Sequence, residues 1–452
     1  MNKVKYFSFK PLSKLQFLKD PIHGEINFDD DTLWMYDILN TKEFKRLQDI
    51  KQLGLSIHTF PGASHTRASH CLGAYEVMRR ILTKPSFKSI SKNEKLILLC
   101  AALLHDLGHG PHSHAFEDYF LTSLDEDSKY LFHHEWFSVN LITNPKGEIA
   151  PILLKNNIDP NLVASLIQHD KKKNNLLPSW MTQLISSELD VDRIDYLLRD
   201  SYYTGTNYGY IDSRALIHWI NFDSNKKCVS FSKKAIPIIE NFLIGRYHMY
   251  QSVYLNEKTS LLVATLWFAF KRIKDLDFHN KFDWNNNTEL RDVLKIFFAN
   301  ESVKKIDLDK YLFLTDSMFN SFLSTTYLKS KDKILHKILE SFFEKNKYIM
   351  LLFDDFKIRD FEYKKFTNLE NAKYFVTKYE FPTKAFYSPN KNSSGITIFD
   401  DTSKKNVSII NDSELIKNGN KLFTQNNKYK YGILIHEDFL NNNSTIAKIL
   451  KR

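Results

Sequence analysis

The sequence predicts a mainly α protein, with a helical catalytic core over residues 1–275 and a smaller mixed α/β lobe over 276–452. Three observations carry this expectation. From Leu33 onward apolar residues recur at three- and four-residue intervals, which sets them on one face of a helix. Ser91 with Glu94 three residues later forms a capping-box signature just ahead of the apolar run Leu96–Leu104. Past about residue 275 Asn-rich turns such as DWNNNTEL appear, and alternating segments follow.

Taken in order, the first 30 residues read as an extended lead-in, with a Pro and a Gly in KDPIHGEINF. Leu33, Tyr36, Leu39, Phe44, Leu47, Ile50 and Leu53 then keep helical spacing. A loop, HTFPGASHTR, precedes a helix over Ala68–Leu82. The capped helix through Leu104 follows and stops at glycines and Pro111. Further helices are predicted over 134–143, 160–169, 178–200, 212–221, 234–254 and 257–274, and helices continue to about residue 347. YFVTKYEF, GITIF, NVSII and YGILI read as strands of the C-terminal lobe.

Composition narrows the function classes. Of 452 residues, 63 are Lys or Arg and 53 are Asp or Glu, a net charge of +10. That excess favours anionic partners: nucleotides, nucleic acid or a membrane surface. The charge makes a nucleic-acid-binding or nuclease role an alternative reading, but no long Lys/Arg block or clustered basic, aromatic-lined stretch accompanies it. Three cysteines lie far apart with no CxxC, which supports neither a disulfide framework nor a thiolate zinc site. The N-terminus carries no signal-peptide pattern, and LILLCAALL is too short to span a bilayer. A soluble, cytoplasmic protein without a membrane partner is expected.

The chemistry concentrates in four stretches. LLHDLGHGPHSH packs His105, Asp106, His109, His112 and His114 at the end of an apolar helix. An imidazole-plus-carboxylate set suits a divalent ion such as Mn, Mg, Fe or Zn. FPGASHTRASHCLG places Arg67 and His70 three residues apart, on one helical side. In DVDRIDYLLRD, Asp192, Tyr196 and Asp200 form a continuous i, i+4, i+8 stripe. HHEWF adds His133, His134 and Glu135. His112 and His114 read as partners that orient a ligating or proton-transferring imidazole. His23 reads as structural, and His169 in QHDKKK as solvent-facing.

The order H…HD…D, as His70, His105–Asp106 and Asp192, resembles the HD-domain metal-dependent phosphohydrolases. DPIHG, IKQLG, FPGASHTRASHCLG, HDLGHGPHSH and DVDRIDYLLRD together resemble the deoxynucleoside triphosphate triphosphohydrolases of that superfamily, across roughly residues 18–260. The last third of the chain matches only vaguely, and no sterile alpha motif is present. The resemblance implies hydrolysis of dNTPs to deoxynucleoside and inorganic triphosphate, with an HD phosphohydrolase acting on another nucleotide phosphoester as the alternative. It implies one divalent metal on His70, His105, Asp106 and Asp192, with a second Mg accompanying the triphosphate. By the same resemblance Arg67, Arg193 and Arg246 contact phosphate, and His109 acts at the attacked phosphorus supported by His134. Gln52 and Asp200 match residues that hold the sugar 3′-hydroxyl, Tyr196 stacks under the deoxyribose, and Tyr254 contacts the sugar. Arg193 stands where the family carries a lysine, which keeps charge and changes geometry. Relatives assemble as homo-oligomers, dimers or tetramers, some switched on by a nucleotide activator. The positions that read a guanine activator are Asn40 and Gln48 here, a departure that speaks against an activator of that kind.

Overall fold

The computed structural model describes residues 16–121, 133–168, 177–284, 287–298, 306–380, 385–389, 395–400, 402–424 and 431–440. The mainly α class with a mixed α/β portion is as the sequence predicts.

The extended lead-in forms an antiparallel hairpin, β1 (Gln16–Asp20) and β2 (Gly24–Phe28), with Gln16 opposite Phe28. Phe28 stacks on Tyr75 at 4.9 Å and so fastens the hairpin to the first long helix, Arg67–Leu82. Thr66 caps that helix by accepting from the Ser69 N–H, and burial runs nearly all round it. Lys92–Leu104 has the predicted capping box in both directions between Ser91 and Glu94, a device worth about 1 kcal/mol. Every residue from Leu96 to Leu104 is buried, and the helix ends at His105. A third core helix, Val191–Thr204, packs on Arg67–Leu82 and ends at Gly205 in the left-handed conformation (φ 72°).

Several predicted elements are divided. The 178–200 helix is two, Ser179–Ile185 and Val191–Thr204. Between them the Asp190 carboxylate accepts from the Ser187 and Arg193 N–H groups, each at 2.8 Å. A short acceptor side chain there offers the backbone an alternative to the helix ladder. The 234–254 helix is α over Ile236–Met249 and a π turn over Tyr250–Tyr254, a feature frequent at functional sites. The 212–221 helix stops at Trp219, where β3 (Ile220–Asp223) begins and pairs with β4 (Cys228–Ser232). Residues 33–58 form short α and 3-10 turns rather than one helix.

The alternating segments become strands as predicted: β6 (Val376–Glu380), β7 (Thr397–Asp400), β8 (Lys405–Ser408) and β9 (Tyr431–His436). The sequence reading missed β3, β4 and β5 (Tyr348–Phe353). Sheet order is β3-β4-β7-β8, with β4 and β7 parallel, and β5-β9-β6, antiparallel throughout.

The apolar interior falls into two clusters. One gathers the 67–104, 191–197 and 235–253 segments and is joined by Phe386, Ile398, Ile409 and Ile416 from the end of the chain. The other is built on Leu266–Leu339 with β5, β6 and β9, and it takes in Leu55, Phe116 and Phe137. Those three residues flank the histidine-rich turn, so that turn lies where the clusters meet. Among the described residues no helix is long and apolar enough to cross a membrane.

Candidate active site

Four side chains from three segments converge. His70 Nε2 lies 3.1 Å from His105 Nε2, 3.0 Å from Asp192 Oδ1 and 3.6 Å from Asp106 Oδ2. His105 Nε2 lies 3.5 Å from both Asp106 Oδ1 and Asp192 Oδ1. Ligands bonded to one ion at about 2.1 Å stand about 3.4 Å apart in a tetrahedron, so these separations would fit a shared ion. The donor chemistry agrees. His70 Nδ1 faces Asp195 Oδ2 at 2.8 Å and His105 Nδ1 faces the Ala102 carbonyl at 3.0 Å, so each Nδ1 carries the proton. The two Nε2 atoms and two carboxylates point at one another, an arrangement that favours positive charge among them, whether a proton or a cation. The titration of His70 expresses the same demand. Burial alone would push its pKa down, yet hydrogen bonds to Asp192 and Asp195 raise it to about 10.

Positive charge is already supplied on one flank. Arg67 is buried, pairs through Nη1 with Asp106 Oδ2, and donates from Nε to Ser113 Oγ at 2.9 Å. Burial by itself would raise the Asp106 carboxyl, but Arg67, His105 and His109 hold it well below the ordinary carboxylate range. His109 stacks on His134 with ring centres 3.7 Å apart and planes 15° apart. Burial, Arg67 and His134 keep His109 neutral by lowering its pKa well below 6.5. Its Nδ1 is buried without a hydrogen-bond partner within the protein. His134 Nδ1 meets Glu117 Oε1 at 2.7 Å, and burial lowers this imidazole to about 4. Glu135 lines the same cavity, its carboxyl raised by burial.

On the opposite wall Asp200 is held at both oxygens, by His65 Nε2 at 2.8 Å and by the Tyr254 hydroxyl at 2.7 Å. Tyr196 meets Tyr254 edge-on at 6.0 Å. Gln52 Oε1 is buried and unpartnered beside them. Arg193 reaches the cavity while paired with Asp190, whose carboxyl burial lifts to about 6. These groups enclose a cavity of 330 Å³. A second cavity of 540 Å³ adjoins it, sharing Gln52, Leu53, His114 and Tyr254, and is walled further by Trp267 and Thr377–Glu380.

Two of the residues singled out from sequence stand elsewhere. Arg246 is buried away from the cavity lining, with Nη2 on Glu188 Oε2 at 2.8 Å and on the Phe386 carbonyl at 2.9 Å. His112 turns its ring from the ligands toward Tyr119 and Asn320. His114 stays at the rim, edge-on to His109 at 4.8 Å, with its side chain largely exposed. His23 is structural, bonded to Asp195 at 2.6 Å. His169 lies outside the described residues.

Sequence reasoning missed Asp195, Glu117 and Ser113. Asp195 is fully buried and joins His70, His23 and Arg199. Gly73 exists to admit it, because a Cβ there would overlap the Asp195 carboxylate and the Arg199 guanidinium. A readable signal existed: Asp192 and Asp195 are one helical turn apart, and a ligating histidine commonly needs a carboxylate behind it.

An HD domain model matches residues 67–200. A functionally uncharacterised protein of Mycoplasma pneumoniae is 43% identical over 423 residues, covering 92% of this chain and 97% of that one. A deoxynucleoside triphosphate triphosphohydrolase SAMHD1 homolog of Dictyostelium discoideum is 31% identical over 261 residues, 56% of this chain and 48% of that one. The crystal structure of a phosphohydrolase from Bacteroides thetaiotaomicron superposes with a TM-score of 0.73 at 26% identity, covering 93% of this chain and all of that one. The chain belongs to the HD-domain phosphohydrolases.

Proposed function

We propose that this protein hydrolyses deoxynucleoside triphosphates to the deoxynucleoside and inorganic triphosphate. One observation carries the reading. His105, Asp106 and Asp192, with His70 packed directly behind them, share a cavity with a sugar-sized polar wall, Gln52, Tyr196, Asp200 and Tyr254. A divalent ion held by those four supplies Lewis acidity and lowers the pKa of water. The identity of the ion is open among Mn, Mg, Fe and Zn, because such donors accept several.

The chain's own groups divide the remaining work. Arg67 and Arg193 bring positive potential to a triphosphate carrying about four negative charges. His109, neutral and with an unpartnered Nδ1, holds or releases a proton at the reacting phosphate. His134 backs it by stacking and is itself oriented by Glu117. On the sugar side, Asp200 and Gln52 accept from a 3′-hydroxyl, and Tyr196 closes the face a 2′-hydroxyl would occupy. Residues 1–275 carry this chemistry in the reading, with 276–452 as the smaller lobe. A homo-oligomer is the expected assembly.

The test is direct. Purified protein is incubated with each dNTP and each NTP, alone and in mixtures, with Mn²⁺ or Mg²⁺, and inorganic triphosphate is measured. Triphosphate from dNTPs and not from NTPs is expected, and His105→Ala should abolish it together with metal binding. No product from any dNTP, mixtures included, overturns the proposal.

A further inference from the structure

His112 and Ser113 both adopt φ of 59°, the left-handed region, with neither being glycine. They are the only consecutive pair of that kind among the described residues, and both are buried. Such a conformation costs about 1–3 kcal/mol per residue and persists only where its surroundings over-determine it. Here the determining groups come from the far end of the chain. Asp316, buried at the start of the Asp316–Lys329 helix, takes the His112 N–H on Oδ1 at 2.8 Å and the Lys51 N–H on Oδ2 at 2.9 Å. One turn on, Asn320 Oδ1 accepts from His112 Nε2 at 3.0 Å, while Tyr119 donates to Nδ1 at 3.0 Å. Gly54 (φ 48°) lets the loop after Lys51 close on this turn, because a Cβ there would overlap the His112 carbonyl.

The strained turn has an output. It aims Ser113 Oγ, which donates to the Lys51 carbonyl at 2.6 Å and accepts from Arg67 Nε at 2.9 Å. Arg67 in turn holds Asp106. We infer that Asp316, aided by Asn320, is a positioning residue: it sets the His112–Ser113 turn, which fixes Arg67 against Asp106. The C-terminal half thereby completes the metal and phosphate geometry built by the N-terminal half. Tyr311 makes a parallel contact, donating to the Gly108 carbonyl at 2.7 Å.

The test compares full-length Asp316→Asn, Ser113→Ala and the double variant. Mn²⁺ affinity of metal-free protein and melting temperature are measured. Triphosphate release is also measured, and that arm alone rests on the substrate reading above. Asparagine keeps the size of Asp316 but cannot accept two N–H groups with two oxygens. Arg272→Gln, which breaks the partly exposed Arg272–Asp332 pair, controls for general destabilisation. Each single variant should weaken Mn²⁺ binding about tenfold, and the double should be no weaker than the worse single, because both act through one turn. Arg272→Gln should lower the melting temperature and leave Mn²⁺ affinity alone. Wild-type affinity in Asp316→Asn, or losses that multiply in the double variant, overturns the inference. Should Asp316→Asn not fold, Asn320→Ala removes the ring bond and carries the same comparison. A parent protein that releases no triphosphate but binds Mn²⁺ refutes the substrate and leaves this test standing.

Discussion

Asp195→Asn is the sharpest probe of how His70 is held among the four convergent side chains. The Asp195 carboxylate receives four donors: His23 Nε2 at 2.6 Å, His70 Nδ1 at 2.8 Å, and Arg199 Nε and Nη2 at 2.9 and 3.0 Å. Asparagine offers one acceptor oxygen and turns an N–H₂ group against the remaining donors. Removing one partner of a buried ion pair costs about 3–5 kcal/mol. Arg199 retains Asp20 at 2.8 Å, which puts the loss at the low end, about 3 kcal/mol. Separately, His70 loses the acceptor that fixes its tautomer and ring plane, a change worth about 10–100-fold in metal affinity.

Both quantities can be read on one preparation. Urea unfolding of the metal-free protein gives the stability term, and Mn²⁺ titration of the folded protein gives the affinity term. The expected result is a fall in both. A stability loss of the expected size with Mn²⁺ affinity unchanged within about twofold would refute the reasoning, because it would make Asp195 a core ion pair with no hold on His70.

Three other outcomes follow from the same geometry. Glu117→Gln should cut turnover about 10–100-fold while leaving Mn²⁺ affinity unchanged, since Glu117 orients His134 and touches no ligand; steady-state kinetics beside metal titration checks the split. Burial lowers His134 and His436 to about 4, from 6.5. A depressed histidine contributes stability that is full above 6.5 and lost as pH falls toward 4. Unfolding free energy should therefore drop through that window, and His134→Gln should flatten part of the drop. Gln52→Met, which removes an unpartnered buried oxygen, should stabilise the substrate-free protein by about 1 kcal/mol. It should also raise KM, and an unchanged KM would remove Gln52 from the sugar wall.

The sequence made legible what depends on residue type and local spacing. The Ser91–Glu94 box is decided within four residues, and it formed in both directions. The set His70, His105, Asp106 and Asp192 came from the family resemblance of their order, and the structure brings the four side chains together. Arg246 shows the limit: its spacing from Tyr254 is visible, but Glu188, which binds it, comes from another segment. The split of the 178–200 helix turned on the Asp190 side chain competing with its own backbone, which an apolar period does not register. Asp195, Glu117 and Asp316 escaped for a shared reason. Each is an ordinary acidic residue on a helix, and its role is set by what tertiary packing brings opposite it.

That packing also explains where the molecule leaves polar groups unpaired. Gln52 Oε1, His65 Nδ1 and His109 Nδ1 are buried without partners within the protein. An orphaned buried polar group costs about 1–3 kcal/mol, so three at one site are a substantial local expense. The neighbouring groups by contrast have partners: both Asp200 oxygens, both Asp316 oxygens and the donors around Asp195 are hydrogen-bonded. The frame is therefore held by paired groups, and Gln52 and His109 carry their vacant valences among the residues that line the cavity. Gln52 and His109 line the cavity, so their orphaned atoms stand beside open space, while the hydrogen-bonded groups around them fix where those atoms point.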